Sequence, residues 1–393
     1  MNHQEISKKL KPAFGRLFGD TDGAAGYFAP GRANLIGEHI DYNGGCVLPC
    51  ALTMGTWAVV RKRRDRMLRF YSLNFPGAGV IRSSLDDLRP LEDDSWSAYI
   101  KGVIWALKQR GFGIDWGLDL VLWGDLPGGA GLSSSASLEV LAGFCLKDIH
   151  GLPLTALDLA VIGQEAERDY VGVDCGIMDQ FASAAGRQGK AMLLDTASMD
   201  CRYVPLDLPE HALVITNTNV KHDLLDSPYN ERRKQCQQAL QLVRQFGDRP
   251  SLCSVKPQQL ETMKAAFDDP IIWRRARHAV SENERVKLAA EALQKGDLKE
   301  LGRLLNQSHR SLKEDFQVSC RELDILAETA QGLPDVLGSR MMGGGFGGCT
   351  ISLVRREGLD GFRKTLGQIY REQTGIECTF YEVGPGGGPE RIW

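Results

Sequence analysis

Three segments of the chain carry side chains that could do chemistry. The first, GRANLIGEHIDYNGG at 31–45, crowds Arg32, Glu38, His39 and Asp41 together, with Asn34 and Asn43 alongside. Unpaired charges are rarely buried, yet Leu35 and Ile36 lie in the middle and glycines at both ends. That fits neither an ordinary core strand nor an ordinary surface loop. The second, LPGGAGLSSSASLEV at 126–140, lies between a strand pattern and an amphipathic helix pattern. This order presents free backbone N–H groups and the positive end of a helix dipole to whatever lies above the loop. Gly128, Gly129 and Gly131 allow close backbone approach, and Ser133, Ser134 and Ser135 exceed what one N-cap needs. Serine hydroxyls are good ligands for Mg2+ or phosphate oxygens. No G-K-[ST] follows, so this is not a Walker A loop; a glycine turn with a serine cap is the plainer alternative. The third, GQEAERDYVGVDCGIMDQF at 163–181, ends a helical pattern with Glu165 and Glu167 and sets Asp179 between Met178 and Gln180. A carboxylate in so apolar a setting is either paired or working, and Arg32 of the first segment supplies an arginine.

A further run, GSRMMGGGFGGCTISLV at 338–354, is dense in glycine, which implies close approach to a ligand or another loop, or a bare structural loop. Gly343, Gly345 and Gly348 fit G-x-G-x-x-G, but a strand pattern follows, the reverse of the dinucleotide-binding order.

The elements that must position these groups follow from periodicity. Strands are expected at 25–30 and 46–62, and a helix over 96–110, where Trp96, Tyr99, Ile100, Val103, Ile104 and Leu107 recur at helical spacing before Gly111. A strand at 118–123 precedes the serine loop, a helix runs from Ser134 to about Ile149, and another covers roughly 154–170. Strands return at 190–195 and 211–219. Residues 229–332 read as mostly helical, followed by the glycine loop, a strand CTISLV, a helix near 359–372 and a closing strand CTFYEV. A domain boundary is expected near 205–210.

Composition bounds the rest. The 393 residues are 43% hydrophobic, enough for a large core and about two domains. With 25% charged residues and a net charge of −3, the chain has no nucleic-acid footprint. The basic run RKRRDR at 61–66 follows an alternating apolar stretch and is expected to be a solvated strand end. The N-terminus lacks an apolar signal core, and no stretch of about 18 apolar residues occurs. The expectation is a cytoplasmic, monomeric protein with small-molecule partners, without membrane or nucleic acid. Apart from Cys46 and Cys50, the ten cysteines are scattered, which fits reduced thiols rather than a zinc site.

The chemistry-bearing segments resemble the signature motifs of the GHMP small-molecule kinases, in their usual order. GRANLIGEHIDYNGG is similar to the galactokinase signature in particular, and WSAYIKGV at 96–103, CGIMDQF at 175–181 and the 338–354 segment resemble galactokinase segments too. The likeness runs from about residue 15 to the C-terminus. It implies an α+β two-domain kinase: a ribosomal protein S5 domain 2-like unit over 1–208, a ferredoxin-like unit over 209–393, and an active site in the cleft. The implied reaction is transfer of the γ-phosphate of ATP to the C1 hydroxyl of α-D-galactose.

By the same resemblance, Arg32 and Asp179 would be the catalytic pair. Glu38, His39, Ile40, Asp41, Gly176, Asp179 and Tyr229 would contact the sugar. Ser72, in FYSLNF, and Gly129, Ala130, Gly131, Leu132, Ser133, Ser134 and Ser135 would hold ATP, with Mg2+ at Ser135 and Glu167. A sugar is a dense array of hydroxyls, and recognising each one needs several short polar side chains on a rigid segment. Ile40 stands where many galactokinases have Thr, and Pro228 precedes Tyr229 in SPYNERR. Asn43, Gly44, Gly45 and Phe346 favour galactose over N-acetylgalactosamine. The alternatives are a GHMP kinase for N-acetylgalactosamine, arabinose or galacturonate, and a non-catalytic galactose/ATP sensor, against which the intact GLSSSAS stands.

Overall fold

A computed structural model describes residues 3–90, 95–127, 131–220 and 229–393 of the chain. The first part runs α1 (His3–Phe18), β1 (Ala24–Asn34), β2 (Cys46–Val47), β3 (Pro49–Lys62), β4 (Met67–Ser72), β5 (Ile81–Ser84), α2 (Ser97–Gln109), β6 (Leu118–Gly124), α3 (Ser134–His150), α4 (Ala156–Glu165), α5 (Met178–Ala184), β7 (Lys190–Asp195) and β8 (Cys201–Pro205). The second part runs β9 (His211–Asn217), α6 (Tyr229–Arg244), α7 (Pro257–Thr262), α8 (Pro270–Lys295), α9 (Leu298–Ser311), α10 (Arg321–Gln331), β10 (Val336–Met342), β11 (Cys349–Arg355), α11 (Leu359–Thr374), β12 (Thr379–Val383) and β13 (Glu390–Arg391).

The first sheet has the order β13-β1-β3-β6-β4-β5. Its strands β1, β3 and β6 are largely apolar on both faces because both are covered. Phe28, Trp57, Val59, Val121 and Trp123 point to α1, against Ile6, Leu10 and Phe14. The alternate residues Tyr27, Ala29, Ala58, Val60 and Leu120 join the main core, which includes residues of α2, α3 and α4. β1 and β3 pair antiparallel, with a register shift between Pro30 and Arg32. Such a bulge bends a strand and re-aims its side chains, here where β1 turns from apolar to polar.

The second sheet has the order β10-β11-β9-β12, every pair antiparallel. With β9 first in the chain and β12 last, this is the ferredoxin-like order, with α6 to α10 inserted between its first two strands. A small sheet β2-β7-β8 completes the set. The chain end returns to the first sheet: β13 pairs with β1, and Pro385 bridges to Leu52.

Most expected elements are present, and the differences have local causes. β1 continues through Asn34 instead of ending at 30, so Arg32 is a strand residue. The strand expected over 46–62 is two, because Cys46–Val47 pair with β7 while Pro49–Lys62 pair with β1 and β6. The helix expected over 154–170 ends at Glu165 and continues as a π-turn, Ala166–Val171. GSRMM belongs to β10, not to the glycine loop. The basic run at 61–66 is more than a solvated strand end: Arg61 and Arg63, joined by Arg69, converge on the buried Asp119 at 3.0, 2.8 and 2.6 Å. Among the described residues, no helix is long and apolar enough to cross a membrane.

Candidate active site

Arg32 leaves the end of β1 and meets Asp179 in the first turn of α5. Its Nε donates to Asp179 Oδ1 at 2.7 Å and its Nη2 to Oδ2 at 2.6 Å, a bidentate pair. Its Nη1 donates to the Gly131 carbonyl, and its backbone N–H to that of Leu132 at 3.3 Å. The Ser133 hydroxyl donates to Asp179 Oδ2. Ser133 has a φ of 56°, in the left-handed region that non-glycine residues seldom enter. Burial is the largest influence on the Arg32 pKa and lowers it, but the charge and hydrogen bonds of Asp179 together with the charges of Glu38 and Asp41 outweigh it, and the net shift is upward. One arginine thus joins the first segment to both the serine loop and the carboxylate of the third.

The polar segment that follows β1 is held from behind. Glu38 is buried, and its Oε1 accepts from Arg340 Nη2 at 3.1 Å and from the Gly343 N–H at 2.9 Å. The fully buried Arg340 also donates to the carbonyls of Leu35 and Met341, each at 2.6 Å, and to that of Asn34. α8 supplies the remaining partners. Glu282 accepts from the Gly37 N–H at 3.1 Å, His278 Nε2 donates to the Glu38 carbonyl at 3.1 Å, and Asn283 accepts from the Cys46 N–H at 2.8 Å. His278 and Glu282 fall at i and i+4, on one face of the helix, and Asn283 follows directly.

His39 has a φ of 62° and both ring nitrogens engaged. Burial, with His278 nearby, pushes its pKa down to about 3, so the ring is neutral. Nε2–H donates to the Gly344 carbonyl at 3.1 Å, which leaves Nδ1 to accept from the Tyr42 hydroxyl at 2.8 Å. Tyr229 opens α6 and packs against the rings of His39 and Tyr42, with centroids 5.4 and 5.8 Å apart. Asp41 is pushed up to about 6, by burial first and then by the Asp179 charge. A Cβ built on Gly176 would run into the Asp41 carboxylate, so only glycine leaves that carboxylate its place.

Beyond the serine loop lies a second set of carboxylates. Glu167 is buried on the π-turn, a feature common at functional sites. It bonds the Ser135 hydroxyl and the Cys175 thiol, and accepts from Gln180 Nε2 at 2.6 Å. The same nitrogen donates to Glu139 Oε2 at 2.9 Å. Burial raises the pKa of both carboxyls, with the charge of Asp179 adding at Glu167 and that of Glu167 at Glu139. Two carboxylates and a hydroxyl, one buried carboxylate oxygen (Glu139 Oε1) having no partner among the described residues, form a hard-oxygen set that suits Mg2+. A different cluster, His309, Asp324 and Glu328, also has metal-like spacing, but the Lys313 ammonium already pairs with both of its carboxylates.

The structure therefore brings Arg32, Gly131, Leu132, Ser133 and Asp179 together, and places Glu38, His39, Asp41, Gly176 and Tyr229 beside them. Gly129 and Ala130 lie outside the described residues. Ser134 is exposed at the start of α3. Ile40 is fully buried, its carbonyl accepting from the N–H groups of Asn43 and Gly45. Ser72 is fully buried at the end of β4, its hydroxyl accepting from the Asn74 N–H at 3.2 Å. Asn74 in turn bonds both the N–H and the carbonyl of Gly124, at the root of the serine loop. Gly44 and Gly45 have a packing reason: a Cβ at either would strike Ser251 or Cys253. Sequence reasoning missed Arg340, His278, Glu282, Asn283, Glu139 and Gln180. The one available signal was charged and polar residues at helical spacing on the otherwise apolar face of α8.

Comparison with known proteins adds the family evidence. The chain matches the galactokinase galactose-binding signature over residues 12–62, the GHMP kinase N-terminal domain over 98–187 and the GHMP kinase C-terminal domain over 289–369. It is 48% identical to a galactokinase of Clostridium perfringens over 98% of this chain and 99% of that one. It is 45% identical to a galactokinase of Bacillus subtilis, with the same shares covered. Among solved structures it superposes on Lactococcus lactis galactokinase complexed with galactose with a TM-score of 0.96, at 43% identity, covering 98% of this chain and all of that one. A Methanococcus jannaschii mevalonate kinase, at 14% identity and a TM-score of 0.66 over 93% of this chain and 98% of that one, shares the fold.

Proposed function

The chain belongs to the galactokinase family of GHMP kinases, and from that premise we propose that it transfers the γ-phosphate of ATP to the C1 hydroxyl of α-D-galactose, giving galactose 1-phosphate and ADP. The observation that carries this reading is the Arg32–Asp179–Ser133 junction, where a sugar-type segment and a phosphate-type loop share one carboxylate.

Asp179 is the base. The anomeric hydroxyl is too weak an acid to ionise at neutral pH, and a carboxylate within about 3 Å can take its proton as the bond to phosphorus forms. Arg32 holds Asp179 in place through the bidentate contact. Glu38, Asp41 and Tyr229 bind and orient the sugar. His39, with both nitrogens already bonded to protein, acts by holding Tyr42 and Gly344, and Ile40 acts through packing. The ATP phosphates lie on residues 129–135, at the N-terminus of α3. Ser72, through the turn it caps, supports the same loop. Ser135 and Glu167 would hold Mg2+, which supplies charge neutralisation to a loose, highly charged transition state. The reading includes two domains, 1–208 and 209–393, in a cytoplasmic monomer with only small-molecule partners.

A panel of sugars with ATP and Mg2+, with the phosphate position read by NMR, tests this. Galactose is expected to be phosphorylated at C1 and N-acetylgalactosamine to be a far poorer substrate, because a site built for a hydroxyl rejects misfits strongly. Comparable kcat/KM for the two sugars would overturn the assignment of the substrate, and phosphate at another position the assignment of the reaction.

A further inference from the structure

We propose that Gln180 and Glu139 are positioning residues for Mg2+: the Gln180 amide holds the Glu167 carboxylate against Glu139 as its anchor, and the oxygens left open on Gln180 and Glu139 accept hydrogen bonds from water carried by the cation. This rests on the reading of Ser135 and Glu167 as the Mg2+ ligands.

Gln180 is fully buried, and its Nε2 donates to Glu167 Oε2 at 2.6 Å and to Glu139 Oε2 at 2.9 Å. One planar amide therefore sets the separation of two carboxylates. Gln180 follows Asp179 in α5, so the turn that aims the base also aims this amide. Glu139 is four residues after Ser135 in α3 and shares its face. Gly163 of α4 leaves room for the pair, since a Cβ there would come within 2.9 Å of Gln180 Cγ and 3.3 Å of Glu139 Oε2.

A second observation points outward from this packing. Glu139 Oε1 and Gln180 Oε1 are buried and have no partner among the described residues. Buried acceptors are ordinarily bonded. Among the described residues, the bonded partners of Glu139 and Glu167 are the Gln180 amide, the Ser135 hydroxyl and the Cys175 thiol, none of which carries positive charge. Buried carboxylates without a cation are costly. Mg2+ brings the missing charge, and it keeps several waters when bound, whose O–H groups are the donors the two open oxygens lack. Contacts of this outer kind change metal affinity about 10- to 100-fold when removed.

Calorimetric titration of ADP, with Mg2+ and with EDTA, tests the assignment without turnover. Glu139→Gln preserves shape but turns an acceptor into a donor toward the cation's water; Gln180→Leu removes the amide. Both are expected to weaken Mg2+-ADP binding about 10- to 100-fold while metal-free ADP and galactose bind as in the parent protein. Unchanged Mg2+-ADP affinity in Glu139→Gln would overturn the inference, as would losses of galactose and metal-free ADP affinity in step with it. Should Gln180→Leu fail to fold, the isosteric Glu139→Gln carries the test alone. Glu167→Gln run in parallel separates two failures. Unchanged Mg2+-ADP binding there would remove the Mg2+ site itself, whereas a loss there with parent-like Glu139→Gln would remove only the positioning role.

Discussion

Glu38 is bonded to a buried arginine some three hundred residues away in the chain, whereas Glu139 and Glu167, two buried carboxylates, share one neutral amide. The side proposed to bind the sugar has Arg340, His278, Glu282 and Asn283 behind it, and its backbone N–H and carbonyl groups are held at Gly37, Glu38 and Cys46. Asn34, whose buried side-chain atoms have no partner among the described residues, is its exception. The side proposed to hold phosphate and Mg2+ keeps open oxygens and raised carboxyl pKa values. The contrast teaches a division of labour. A neutral substrate with many hydroxyls is best met by groups already fixed in place, and a polyanion arriving with a cation is best met by a site that the cation completes.

Asp179 stands on the seam between the two sides, so its replacement should have the largest effect. Asp179→Asn keeps the shape but removes the charge and the basic lone pair. Loss of a general base costs about 10²- to 10⁴-fold, so kcat should fall by that much while galactose still binds. Single-turnover kinetics on the folded variant check this; a loss under about tenfold would mean that Asp179 only orients the hydroxyl.

Arg340→Met tests whether the sugar side is fixed by its buried partners. It would strand Glu38 and the carbonyls of Asn34 and Leu35. Removing one partner of a buried ion pair costs about 3–5 kcal/mol, and denaturant unfolding should show a loss of that size. A loss below about 1 kcal/mol, within the range of an exposed pair, would break the comparison.

The smallest expected effect concerns Asp41, the one carboxylate on the sugar side whose pKa is raised, to about 6. A raised carboxyl pKa means that the folded state binds the proton more tightly than the unfolded chain does. Its ionised form then destabilises the fold increasingly as pH rises from near the ordinary carboxyl value to about 6. Asp41→Asn should therefore raise Tm above pH 6, and the gain should fade as pH falls toward 4, while galactose affinity at neutral pH drops. A gain in Tm that is the same at pH 4 and pH 7 would mean that Asp41 carries no such penalty.

The sequence by itself determined the chemistry-bearing segments and most elements around them, because both are local. The strand at 190–195, the helix beginning at Ser134 and the helix near 96–110 follow from side-chain period and capping over a few neighbouring residues. The Gly-Ser loop before α3 and the polar crowding at 31–45 are likewise readable from adjacent residues. Only the tertiary structure decided which groups are partners, since pairing between positions far apart leaves no trace in periodicity. Arg340 meets Glu38 across some three hundred residues, and Gln180 ties Glu167 to Glu139 across three helical segments. The same holds for the bulge that carries β1 on to Arg32, the π-turn that aims Glu167, and the bonding of both His39 nitrogens to protein. Each is set by what packs against the segment, through burial, desolvation and the geometry of donors supplied from elsewhere in the chain.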